Sequence, residues 1–165
     1  MCEQKSEPIR LQRMEQAALF CPSAQPGLDG AMILGVIERQ ADGQRVSYLE
    51  QPAKVTEGTI AAFAGAAILP TDLFRFSAPC MHGSCSNWTG NNCRVVERLV
   101  QILPAVTAQL PKCKLRPMCR WFSEHGGAAC MRCPQVRTDD KELEAALRRG
   151  PAEIPLPPAR PLHHE

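Results

Sequence analysis

The 165 residues suffice for one domain, or one domain with tails. Hydrophobic residues make up 44% and charged residues 22%, an ordinary balance for a globular chain, but aromatics reach only 5%, so aliphatic side chains must fill the core. A formal net charge of +2 is too small to argue on its own for nucleic acid or a membrane surface, and the longest apolar-leaning stretch, residues 60–69, is too short to span a bilayer.

Residues 1–30 read as a lead-in, in which Ile9, Leu11, Met14, Ala17, Ala18 and Phe20 have the spacing of a short amphipathic helix stopped by Cys21-Pro22. The polar start, Met1-Cys2-Glu3-Gln4, lacks the apolar stretch of a secretory leader, so a cytoplasmic protein is expected. Residues 31–79 read as a small unit with a hairpin. The apolar run from Ala31 to Ile37 is a buried strand, Ala41-Asp42-Gly43-Gln44 a turn, and Arg45 to Leu49 an alternating second strand. Pro52 is expected to end the pair. Thr56 caps a helix with Glu57 in its first turn, running to about Ala66. After a turn at Pro70-Thr71-Asp72, the extended piece Leu73-Phe74-Arg75-Phe76 leads into Cys80.

Residues 80–137 form the cysteine-rich region. A Gly, Ser and Asn-rich loop runs from Cys80 to Asn92. A helix follows, with Val95, Val96, Leu99, Val100, Ile102, Leu103 and Val106 at helical spacing and Pro104 as its kink. Cys93 stands at that helix's start, where the dipole favours a thiolate. Arg116-Pro117 opens a second short helix carrying Cys119, Trp121 and Phe122, expected to end at Gly126-Gly127. Thr138-Asp139-Asp140 caps a last helix over 138–150, ended by Gly150-Pro151. Residues 151–165, with five prolines, read as a disordered tail. The pattern is that of an α+β fold: a hairpin and helix unit packed on a helical, cysteine-rich, metal-binding half.

Seven of the nine cysteines fall between Cys80 and Cys133, spaced Cys80-x4-Cys85-x7-Cys93 and Cys113-x5-Cys119-x10-Cys130-x2-Cys133. A reducing compartment disfavours disulfides, and an odd number leaves one thiol unpaired. A Cys-x-x-Cys loop is the shortest that reaches two corners of an iron–sulfur cubane, which takes about four thiolates. Cys130-Met131-Arg132-Cys133-Pro134 resembles the closing stretch of bacterial ferredoxin ligand runs; the resemblance covers those five residues, and the family's full spacing is absent. The expected ligands are Cys93, Cys119, Cys130 and Cys133, with Cys80 and Cys85 next and Cys113 in the wider set of seven. Cys2 and Cys21 read as ordinary buried thiols outside it.

The expected cofactor is therefore an iron–sulfur cluster, most simply [4Fe-4S], used in electron transfer or in redox or gas sensing, with a redox partner protein or larger enzyme as companion. Two other readings stand beside it. One is an enzyme using a cluster with an open iron as Lewis acid. The other is a zinc-stapled interaction module, since Cys-x-x-Cys is also half of a tetrahedral site. Thiol–disulfide chemistry fits less well, because Pro134 follows the motif where a helix would begin. His82, in the Cys80 loop, and His125, after Glu124, are secondary candidates as ligand or proton donor. Lys112, Lys114, Arg116, Arg120 and Arg132 would offset an anionic cluster, or else meet an acidic redox partner or, as the less expected companion, nucleic acid. Trp88, Trp121 and Phe122 would shield it from water. No phosphate loop, nucleotide fingerprint or catalytic triad occurs.

Overall fold

The computed structural model describes residues 18–149. Strands β1 (Phe20–Cys21), β2 (Met32–Gln40), β3 (Gly43–Lys54) and β4 (Phe74–Pro79) form one antiparallel sheet in the order β1-β4-β2-β3. Five helices accompany it: α1 (Glu57–Ala61), α2 (Pro70–Leu73), α3 (Arg94–Ile102), α4 (Arg120–Cys130) and α5 (Lys141–Arg149). The α+β class holds. Most of the helix expected between Ile9 and Phe20, and the tail at 151–165, lie outside the described residues; Phe20, within them, belongs to a strand.

The hairpin forms where alternation placed it. Gln40 pairs with Gly43, leaving Ala41 and Asp42 as the turn, and Asp42 holds the Arg45 guanidinium at 2.7 Å. Pro52, however, does not end the second strand. Register shifts between the Ile33–Ala53 and Gly35–Tyr48 pairs, so residues 49–52 stand opposite the single residue Leu34. A proline lacks an amide proton for the ladder, but β3 is an edge strand and Pro52 lies in its bulge, the two places where that loss is tolerated. The bulge has a packing consequence. Leu34, 1% exposed, is a member of the main core, and Gly35 sits so close to β3 that a β-carbon would lie 2.6 Å from the Ser47 carbonyl oxygen.

The helix after Thr56 is shorter than its composition suggests. Thr56 and Thr59 cap each other, but α1 ends at Ala61 and the chain continues through tight turns to Gly65, whose φ of 79° suits glycine. Helix α3 ends at Ile102, before Pro104, so the proline terminates the helix instead of kinking it. The tertiary fold arranges the cysteine-rich half around α3. Helix α4 packs on α3 and β1, α5 packs on α3, and the 3-10 turn at Cys133–Gln135 packs on β3.

One core results. Leu34, Val96, Leu99, Leu115, Trp121, Ala129 and Val136 fill it together with Cys119 and Cys133. Each large apolar side chain so buried contributes about 1.5–3 kcal/mol. A smaller cluster of Ala24, Ala31 and Ala78 lies at the β1 end, with Cys21 packed against it.

Candidate functional site

Four of the cysteines line one cavity, two of them from the two ends of α4 and the others from the stretches before and after it. Cys113 lies on the irregular stretch after Pro111. Cys119 follows the 3-10 turn Arg116–Met118 and stands at the N-terminus of α4, in extended conformation and paired to Phe20 of β1. Cys130 is the last residue of α4. Cys133 opens the 3-10 turn that Pro134 continues. All four face a cavity whose apolar walls include Pro22, Leu34, Trp121 and Ala129.

Helix α4 brings the motif to this place through a break the sequence reading misplaced. Gly126 and Gly127 do not end the helix. Gly126 adopts φ 55°, ψ −140°, a conformation open almost solely to glycine, and the helix resumes in a new direction to Cys130. That redirection presents Ala129 and Cys130 to the cavity that Cys119 and Trp121 face from the helix's first turn.

Burial is uneven. Cys119 and Cys133 are buried, at 7% and 8% exposed, while Cys113 and Cys130 are partly exposed and mark the open side. The enclosed space between the thiols holds little more than a water molecule, so any larger occupant takes its room from that open side. Among the described residues, no three His, Cys, Asp or Glu side chains converge as donors to a single metal ion, and no disulfide is formed. Burial raises the thiol of Cys119 to about 12, and raises those of Cys113 and Cys130. Mutual repulsion adds to this: charge on Cys133 bears on Cys113, Cys119 and Cys130 alike.

The electrostatics around the cavity are positive. Among the described residues, no carboxylate lines it. Arg75 of β4 is fully buried, and among the described residues it forms no ion pair. Its Nε donates to the Pro22 carbonyl, Nη1 to the Val136 carbonyl, and Nη2 to Cys133 Sγ at 3.7 Å; the guanidinium lies 5.4 Å from the Trp121 ring centroid. Arg116 lines the cavity, donates to the Pro111 carbonyl and faces Cys130, whose thiol it draws down against the effect of burial. Its buried Nε finds no partner. The Tyr48 hydroxyl faces Cys133, and burial, reinforced by the sulfur's charge, holds its proton well above the ordinary phenol range. A buried cation without a carboxylate costs several kcal/mol unless an anion is near. Here the nearest candidate anions are thiolates.

Cys93 is not among the cavity's lining residues, and Cys113 is. Cys93 stands at the start of α3, with its amide donating to the Glu124 carboxylate of α4 at 2.9 Å. The dipole expectation for its thiol fails: burial raises it and Glu124 opposes ionisation, outweighing the amides of Val95 and Val96. Cys80 follows β4, and its amide donates to Leu19 at 2.8 Å. Cys85 follows the 3-10 turn His82–Ser84, three residues before the Trp88–Cys93 pair, and its carbonyl accepts from the Trp88 amide at 3.0 Å. Cys21 had no signal in sequence spacing; only the sheet brings it beside this group.

The remaining candidates separate. His82, at φ 45°, packs edge-on to Trp88 at 5.1 Å and bonds to Arg120, which also lies over Trp88 at 5.1 Å and pairs with Glu124 at 3.6 Å. His125 is half-buried on α4 and outside the cavity. Arg132 donates to the Leu103 and Ala128 carbonyls, a structural role. Lys112 and Lys114 are exposed on either side of Cys113. No family model, curated protein or solved structure matches this chain.

Proposed function

We propose that the chain is an iron–sulfur protein whose cluster, most simply [4Fe-4S], is held by Cys113, Cys119, Cys130 and Cys133. The observation that carries this reading is the cavity itself: four thiols, two guanidinium groups beside them and, among the described residues, no carboxylate in the lining. Cys113 thus takes the place that spacing alone gave to Cys93. A cubane carries its thiolates at outward corners, spread more widely than the four donors of a zinc ion.

The cluster would supply one-electron chemistry. The protein's own residues would set its conditions. Cys119 and Cys133 anchor the buried edge, and Leu34, Trp121 and Ala129 keep water from it. Arg75 and Arg116 offset its negative charge, and the hydrogen bond from Arg75 to Cys133 stabilises the reduced, more anionic state. Cys113 and Cys130 face the open side. Exposed Lys112 and Lys114 flank Cys113 there, a surface suited to an acidic redox partner. In this reading the sheet and α1 form the support on which a helical, metal-binding half is built. The function is electron transfer or redox sensing in a reducing compartment, with no membrane contact and no nucleic acid required. No helix among the described residues is long and apolar enough to cross a membrane.

Anaerobic reconstitution with ferrous iron and sulfide tests this. The expected product is brown, with equal iron and acid-labile sulfide, and Cys113→Ser loses both. A colourless protein that takes up one zinc and no sulfide would defeat the proposal.

A further inference from the structure

Tyr48 and Pro111 line a second cavity besides the one between the thiols. It is the larger of the two, about 190 Å³ against about 20 Å³. The end of the hairpin supplies one wall and the stretch after α3 the other. Val46, Val106, Pro111 and Pro134 make part of the lining apolar, and Asp42 and Arg45 bring opposite charges to the rest.

The turn puts Arg45 there. Gly43, at φ 130°, reverses the chain so tightly that a β-carbon on it would lie 3.3 Å from Arg45 Nη1. That nitrogen donates to the Gln44 carbonyl at 2.8 Å, and Nη2 pairs with Asp42 at 2.7 Å. The Nε proton has no partner among the described residues. The members of the ion pair differ in exposure. The Arg45 side chain is 14% exposed and held in the wall, whereas that of Asp42 is 67% exposed and free to turn outward. An ion pair with one member so exposed contributes little. A carboxylate arriving in the cavity can therefore take the guanidinium from Asp42 and meet it through both oxygens. Asp42 marks the place of that head group, and the apolar lining suits a short hydrocarbon body behind it.

The cavity is also tied to the cysteine motif. Pro134, in its lining, follows Cys133 directly. The Val106 amide donates at 2.9 Å to the carbonyl of Met131, inside the Cys-x-x-Cys loop.

We propose that this cavity binds a small aliphatic carboxylate, held by Arg45 in place of Asp42, and that the bound anion regulates the neighbouring centre. The binding stands apart from the iron–sulfur reading; the regulation rests on it. A negative charge in the cavity penalises the more anionic, reduced cluster, so occupancy lowers the reduction potential and reduction weakens binding.

Calorimetric titration of the metal-free full chain with acetate, propanoate and butanoate tests the site. Each added methylene should tighten binding about fourfold, and butanamide, which lacks the charge, should not bind. Arg45→Gln should abolish butanoate binding, whereas Asp42→Asn, which removes the competing carboxylate, should strengthen it. A purely structural ion pair would not move the two variants in opposite directions. No saturation by butanoate in wild type and Asp42→Asn alike, unchanged affinity in Arg45→Gln, or equal binding of butanamide would overturn the site. Potentiometry of the reconstituted chain, with and without saturating butanoate, tests the regulation. A lower potential with butanoate is expected; an unchanged potential would overturn the coupling and leave the site standing. A chain that takes up no iron would defeat the cluster reading and the regulation together, while the metal-free titration still decides the site.

Discussion

Arg75 carries its charge into the interior with two carbonyls and one sulfur as partners, and no carboxylate among the described residues. Nothing in Phe74-Arg75-Phe76 announced this; an arginine in a short extended segment ordinarily snorkels outward. It becomes intelligible once β4 is found as an inner strand covered on both faces. Arg75→Met should leave the Pro22 and Val136 carbonyls unsatisfied, at about 1–3 kcal/mol each, and should lower the cluster's reduction potential, because removing a nearby cation penalises the more negative state. Chemical denaturation reads the first effect and potentiometry of the reconstituted protein the second. An unaltered potential would mean that the guanidinium does not face the cluster. At the same scale, the set of cysteines that line the cavity was legible only in part. Cys119, Cys130 and Cys133 follow from a helix and the loop at its end. Cys113 joins them through a tertiary return of the chain, and spacing carries no record of such a return.

Helix α4 shows how an element can be read correctly in composition and wrongly in extent. Two adjacent glycines ordinarily stop a helix, and here the first of them bends it so that both ends face one cavity. The space around Gly126 is open, so Gly126→Ala meets no neighbour and its cost is backbone strain alone, about 1–3 kcal/mol. Cluster occupancy should fall with stability, since Cys130 lies beyond the bend. Gly127→Ala should do less, because its methyl would meet only the Leu110 side chain, at 3.2 Å. Thermal melts of the two variants, with iron analysis, separate strain at the bend from a general intolerance of side chains there. The hairpin was legible because its pattern and turn agree. Its length was not, since Pro52 is a breaker in an inner strand and harmless in a bulged edge strand.

For the whole molecule, the buried thiols predict a pH dependence of definite sign. Cys21 and Cys119 are raised to about 12, and Cys93, Cys113 and Cys130 are raised as well. The fold thus favours the neutral thiol. Without metal, that contribution is complete below the ordinary thiol value of about 8.5 and is lost as pH climbs toward about 12. The metal-free protein should melt at lower temperature at strongly alkaline pH than at neutral pH. Iron takes thiolates, so its uptake releases protons and is favoured by rising pH, and the loaded protein should lose the alkaline instability. Melting curves of both forms across pH check this; parallel curves would mean that the iron lies elsewhere.

The most direct measurement is the Mössbauer spectrum of iron in the reconstituted full chain, with the cavity bounded by Leu34 and Trp121 as the proposed centre. The expected spectrum is that of tetrahedral, sulfur-ligated iron in a cubane, abolished by the change Cys113→Ser. Iron bound without sulfide, or a spectrum indifferent to Cys113, would contradict the assignment of the four cavity thiols to a cluster.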